Sequence, residues 1–367
     1  MKTRIITLAI VLPIIYFSLT NFIRSGSENK TVVTNSEVSD SFISLENSFS
    51  KISNAGNLEV PFSKIIKTAA VNDIQTDSKG TVWIATEAGI TSINSDRTTV
   101  KNYNISEGTF PFSQAESIIF DNKTLWVGTL FGLCKLDESE RFIIAPESES
   151  LPSQMIWDMH WDNSTIWIGT QNGVAFMTSR KDFQSLTNES TNGALKNNWC
   201  KNILKTKHWF ITSHDNGISL WNTSFPASNP EIWKNLAFER LSISRPINDM
   251  AFDGRYLWFA TSKGVFQLAT PAEKFFGDFL SKFIVYGKLN GLASNNIKSI
   301  ISHKDSIWVG TSEGLGRIKD ERVQMIYPSS GQYNKNIRKL YASGDILWIG
   351  SEAGVQFINT AMVNRNE

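Results

Sequence analysis

Four histidines and two cysteines in 367 residues bound the chemistry open to this chain. His160, His208, His214 and His303 are scattered, and no H-x-x-x-H or C-x-x-C pattern is present to hold a structural zinc. There is no G-x-S-x-G, no P-loop and no dinucleotide fingerprint. Neither a metal nor a cofactor is expected. Asp158 and His160 lie close together, and a structural role is expected of them in preference to that of a general base. A disulfide between Cys134 and Cys200 is not expected, because they fall in units of the chain that are not neighbours. They read as buried free thiols.

Two further sets of side chains recur at matching places. Asp73, Ser117, Asp158, Asn202, Asp249, Ser299 and Lys339 occupy equivalent points in seven short apolar runs. Such a column would form a polar ring around a channel, holding water or a cation, or would satisfy strand ends by hydrogen bonding. The second set lies in segments that read as loops: Phe110, Phe112, Phe131, Gln171, Asn172, His214, Asp215, Glu313 and Glu352. Aromatic and polar residues on variable loops suit stacking on a sugar or gripping a partner.

The elements that must position them come from a repeat. Trp83, Trp126, Trp167, Trp209, Trp258, Trp308 and Trp348 each head the same pattern, spaced by 43, 41, 42, 49, 50 and 40 residues. A β-branched or aromatic residue follows, then usually a small one, then Thr or Ser, and soon a Gly. Self-similarity at this period marks a propeller or an array. Around Trp308 the text reads as four short strands: Ile297 to Ile301, Ser306 to Thr311, Leu315 to Ile318, and Val323 to Tyr327. Four antiparallel strands make one blade, so an all-β, seven-bladed β-propeller is expected. The small residues Ala85, Gly128, Gly169, Ala260, Gly310 and Gly350 would let neighbouring sheets interlock beside each Trp. The last copy runs out of chain before its fourth strand. Leu58 to Ser63 is expected to supply that strand and close the ring.

Asn290-Gly291-Leu292-Ala293-Ser294-Asn295-Asn296-Ile297 followed by Ile307-Trp308-Val309-Gly310-Thr311-Ser312-Glu313-Gly314-Leu315 resembles the two-component-regulator propeller repeat. Leu151-Pro152-Ser153 with Ile166-Trp167-Ile168-Gly169-Thr170 does likewise. The likeness runs from about Val60 to Ile358. It implies the sensor propeller of hybrid histidine kinases, or a stand-alone exported relative. No kinase follows in this chain, so a separate membrane sensor kinase would have to carry the signal.

Lys2 and Arg4 precede an apolar run from Ile5 to Ile23, which reads as an export signal. Residues 1–24 are expected to anchor the chain to the inner membrane, with a cleaved signal peptide as the alternative. Residues 25–57 read as a polar linker, in which Phe42, Ile43, Leu45, Phe49 and Ile52 could line a short helix. Residues 58–360 are the propeller and 361–367 a polar tail. The insertion after Pro271, with Phe275, Phe276 and Phe279, reads as a helical turn or two. A net charge of +1 creates no field to draw nucleic acid. The expected function is a non-catalytic periplasmic or extracellular module. It would bind a small ligand, a saccharide among the candidates, or an envelope protein. A lyase or hydrolase on a propeller scaffold is the alternative, as is a structural adaptor of an envelope complex.

Overall fold

The computed structural model describes residues 53–365 apart from 179–182, 216, 238–245, 270 and 272–282. The N-terminal apolar run, the helix considered within 42–52 and the insertion after Pro271 therefore lie outside the described residues. Seven small sheets are arranged in a ring, spanning 71–103, 117–144, 156–186, 202–237, 247–286, 297–328 and 337–359. They are blades one to seven. Each starts at an inner strand that lies beside the inner strands of its two neighbours, and Ile337–Ser343 closes on Val71–Thr76. Among the described residues the α-helical content is one short helix, Thr360–Arg365, where a polar tail is expected from 361. No described helix is long and apolar enough to cross a membrane.

The repeated Trp residues explain why seven separate sheets form one body. The buried apolar side chains fall into seven clusters, one in each seam between adjacent blades. Each motif Trp fills the seam toward the following blade. Trp126, for example, packs with Ile156, Ile166 and Ile168 of blade three. Removing such a ring from a packed seam costs roughly 3–5 kcal/mol. The small residue after the Trp makes room for the incoming strand. A Cβ on Gly128 would stand 2.5 Å from Ile156 Cγ2, and one on Gly350 would stand 2.5 Å from Val71 Cγ1.

The recurring Thr and Gly of the motif build the turn between second and third strands. Thr311 Oγ1 donates to Gly314 O at 2.9 Å and accepts the N–H of Glu313 at 3.0 Å. Gly314 has φ of 142°, a value that side chains rarely tolerate.

The ring closure differs from expectation. Blade seven has three strands. Leu58 to Val60 belong to a strand, Ser53–Val60, that pairs in parallel with Arg322–Pro328 and gives blade six a fifth strand. The strand thus begins inside the stretch read as linker. The chain then crosses to blade seven. Ser63 N–H donates to Phe357 O at 2.9 Å, and Ile66 and Val355 exchange both backbone hydrogen bonds. A regular outer strand at 58–63 is therefore not built. Alternation suits 58–60 equally to either edge, and the parallel edge of blade six takes them.

Candidate functional site

The seven column residues come together at the waist of the central channel, and they pass hydrogen bonds from blade to blade. Asp73 Oδ2 accepts the Ser117 hydroxyl at 3.1 Å and Ile118 N–H at 3.0 Å. Ser117 Oγ accepts Met159 N–H at 3.1 Å. Asp158 Oδ2 accepts Ile203 N–H at 2.7 Å, and Asn202 Nδ2 donates to Ile247 O at 2.9 Å. Asp249 Oδ2 accepts the Ser299 hydroxyl at 2.8 Å and Ile300 N–H at 3.0 Å, and Ser299 Oγ accepts Leu340 N–H at 3.1 Å. The last step uses charge: Lys339 Nζ lies 3.3 Å from Asp73 Oδ1. The belt answers the inner strands' need for partners, since backbone N–H groups facing a channel have no neighbouring strand.

Above the waist, where the inner strands begin, a cavity of about 190 Å³ opens. Its floor is Asp73, Asp158, Asp249 and Lys339, and its walls include Asn72, Glu116, Trp157, Asn248, Lys298 and Arg338. All six wall residues are half-buried. All six sit immediately before a ring residue, and all but Glu116 lie at a register break. The inner strands of blades one, three, five, six and seven each skip a pairing there, between Val71 and Asp73, Ile156 and Asp158, Ile247 and Asp249, Ile297 and Ser299, and Ile337 and Lys339. Such a bulge re-aims a side chain. It lets two successive residues face the mouth where a regular strand would offer one. No sequence pattern considered above signals these positions.

The mouth is already partly wired. Arg338 donates to Val71 O at 2.9 Å and Asn72 Oδ1 at 2.8 Å, and pairs with Glu87 at 2.8 Å. Lys298 Nζ donates to Asn336 Oδ1 at 2.6 Å, and Asn248 Nδ2 donates to Ile297 O at 2.6 Å. Burial raises the Glu116 carboxyl above its ordinary range, although Gln114 donates to it. Trp157 sits 6.1 Å from Trp199, centroid to centroid, and both indole N–H groups are buried without a hydrogen-bond partner. At the waist, burial works against the Lys339 ammonium, but Asp73, Asp249 and Asp158 around it hold its proton well above the lysine range. Burial pushes the Asp158 carboxyl up to about 7.

Below the waist a second chamber of about 390 Å³ has mostly aliphatic walls and includes His160, Trp161 and Tyr341. Burial holds His160 neutral, down to about 4. It lines the lower chamber together with Asp158, which also borders the mouth.

The loop residues marked in the sequence lie around the mouth, not in its wall. The turns between second and third strands share its face, since Glu87, Asp215 and Glu352 contact Arg338, Lys201 and Asn336. Gln171, Asn172, Glu313 and Glu352 are exposed there. Asn172 accepts from Asn198 at 3.1 Å, and Asp215 lies 3.4 Å from Lys201. Phe110 is 1% exposed and belongs to the seam between blades one and two. Phe112 packs on it and Phe131, 64% exposed, covers Phe112 at 5.6 Å. His214 is buried, with Nε2 at 3.1 Å from Ser219 Oγ, and burial lowers its pKa to about 4. Phe110 and His214 are therefore not presented to a partner. Cys134 and Cys200 are free and buried, and burial pushes both thiols up to about 12.

No protein-family model and no curated protein matches the sequence. Solved structures match in fold. The extracellular domain of a hybrid two component system from B. thetaiotaomicron gives a TM-score of 0.62 at 18% identity, over 80% of this chain and 40% of that one. The extracellular domain of another hybrid two component system from B. thetaiotaomicron gives 0.63 at 19%, over 81% of this chain and 39% of that one. Virginiamycin B lyase from Staphylococcus aureus gives 0.56 at 14%, over 82% of this chain and 97% of that one. This chain spans well under half of each two-component domain. Its structural neighbours thus include extracellular domains of two-component systems and a lyase, with all of which it shares the propeller fold.

Proposed function

We propose that this chain is an exported, non-catalytic sensor module whose ligand enters the channel mouth. The observation that carries the reading is the wall of that mouth. An indole face, two amides, a carboxyl and two cations converge over a charged floor in a space of about 190 Å³. Planar hydrogen-bonding groups beside an aromatic face suit a small hydroxylated ligand such as a saccharide. The likeness to extracellular sensor domains supports a receiving role, and the basic, then apolar N-terminus supports export. The signal would pass to an envelope protein or a separate membrane sensor kinase. A lyase is among the fold neighbours. Against catalysis, among the described residues no histidine lines the mouth. Thermal-shift screening of the full chain against mono- and oligosaccharides, followed by calorimetry, tests the reading. A hit should lose at least tenfold in affinity in Trp157→Ala and in Glu116→Ala. Unchanged affinity in both variants would place the site elsewhere.

A further inference from the structure

We infer that the channel waist is a proton-binding element: the Asp158 carboxyl, the ring aspartate with the fewest donors, takes up and releases a proton, and that proton sets the charge offered to a ligand in the mouth. The second half rests on the reading of the mouth as the ligand site; the first does not.

The floor and wall of the mouth hold four acids, Asp73, Asp158, Asp249 and Glu116, and three bases, Lys298, Arg338 and Lys339. Glu116 stands in the wall, with the Gln114 amide as donor and Arg338 favouring its charge. Among the three aspartates of the ring, geometry distinguishes the carboxyl that takes a proton. Asp73 has the Lys339 ammonium at 3.3 Å, the Ser117 hydroxyl and Ile118 N–H. Asp249 has the Ser299 hydroxyl with two backbone donors, Met250 N–H and Ile300 N–H. Among the described residues Asp158 has two donors, both backbone: Met159 N–H at 2.9 Å and Ile203 N–H at 2.7 Å. It is the least supported of the three carboxylates and shares the ring with the other two.

The groups that face it act in both directions. Burial disfavours its charge, Lys339 across the channel favours it, Ile203 N–H favours it, and Asp73 and Asp249 oppose it. Glu116, just before the inner strand of blade two, and Lys298 and Arg338 from those of blades six and seven, share the mouth with it. On its own strand His160, which burial holds neutral, lines the lower chamber; Asp162 favours its charge and Lys205 of blade four opposes it. The net effect leaves the Asp158 carboxyl at about 7. A carboxyl whose folded value is raised binds its proton more tightly in the folded state. Its contribution to stability is present below about 4, the unfolded value, and is lost as pH rises through about 7. The charge of the mouth changes over the same window, so acidification favours a ligand carrying negative charge.

The test is a carbon-13 titration of the full chain labelled at the aspartate carboxyl carbons, with Asp158→Asn assigning the signal. One carboxyl should titrate near 7 and vanish in that variant. Asp249→Asn should lower the midpoint by removing a like charge, and Lys339→Gln should raise it. Should Lys339→Gln fail to fold, Asp249→Asn alone carries the electrostatic arm. The inference is overturned if every aspartate titrates below 5, or if the Asp158 midpoint ignores Asp249→Asn. Neither result depends on a ligand, so failure here is separate from failure of the mouth as a binding site.

Discussion

Removing the carboxylate of Asp162 tests what holds four of the seven motif Trp residues in their seams. Asp162 Oδ2 accepts the Trp167 indole N–H at 2.9 Å. Oδ1 accepts Ser164 N–H at 3.0 Å, Thr165 N–H at 2.8 Å and the Ser164 hydroxyl at 2.7 Å. Asp77, Asp121 and Asp253 hold Trp83, Trp126 and Trp258 in the same way. Trp167 is 5% exposed, so its N–H has little access to water once the carboxylate is gone. An unmet buried donor costs roughly 1–3 kcal/mol, and each turn bond adds about 0.5–1.5 kcal/mol. Part of the turn rehydrates, so Asp162→Ala should lose about 3 kcal/mol. Asp162→Asn keeps one carbonyl oxygen for the turn and should lose about half as much. Burial works against the Asp162 charge, but the Trp167 indole and the Ser164 and Thr165 donors hold its carboxyl below the ordinary range. That contribution is present at neutral pH and is lost as pH falls below about 4. Urea unfolding followed by tryptophan fluorescence at pH 7 and pH 3 measures both limbs. A loss under about 1 kcal/mol at pH 7, or an equal loss at pH 3, would refute the reasoning.

Gly350→Val should destabilise the seam between blades seven and one by roughly 1–3 kcal/mol, because a Cβ there meets Val71 Cγ1 at 2.5 Å; urea midpoints check it, and an unchanged midpoint contradicts the interlocking of sheets. Ile66→Pro removes the N–H that donates to Val355 O at 2.9 Å, and should cost roughly 1–3 kcal/mol if that segment covers the open edge of blade seven. The thiols of Cys134 and Cys200 should stay unreactive toward iodoacetamide at pH 8 in the native chain and react once it is unfolded, since both are buried and pushed up to about 12; native labelling read by mass spectrometry would count against their burial. Phe131→Ala should leave stability within about 0.5 kcal/mol because the ring is 64% exposed, whereas His214→Ala should lower it, the imidazole being buried against Ser219.

The sequence alone determined the fold, the number of blades and the polar column, because each depends on a local pattern repeated in phase. A Trp, a small residue and a turn Gly recurring about every 40–50 residues demand the same blade each time. Seven in-phase inner strands place Asp73 through Lys339 at one height. Its limits are equally physical. Strand alternation turns Asn72, Trp157, Asn248, Lys298 and Arg338 away from the channel, and only the paired neighbour strands reveal the bulges that bring them back. Phe110 and Phe131 look alike as loop aromatics, yet one is 1% and the other 64% exposed, since exposure depends on what the neighbouring blade covers. The edge taken by Ser53–Val60 was decided the same way: two open edges were available, and the choice between them lies in tertiary contacts that no local pattern encodes. Asp158 needs all of these together, because its proton depends on Lys339, Asp73 and Asp249 from three other blades, far apart in the chain and close only across the closed ring.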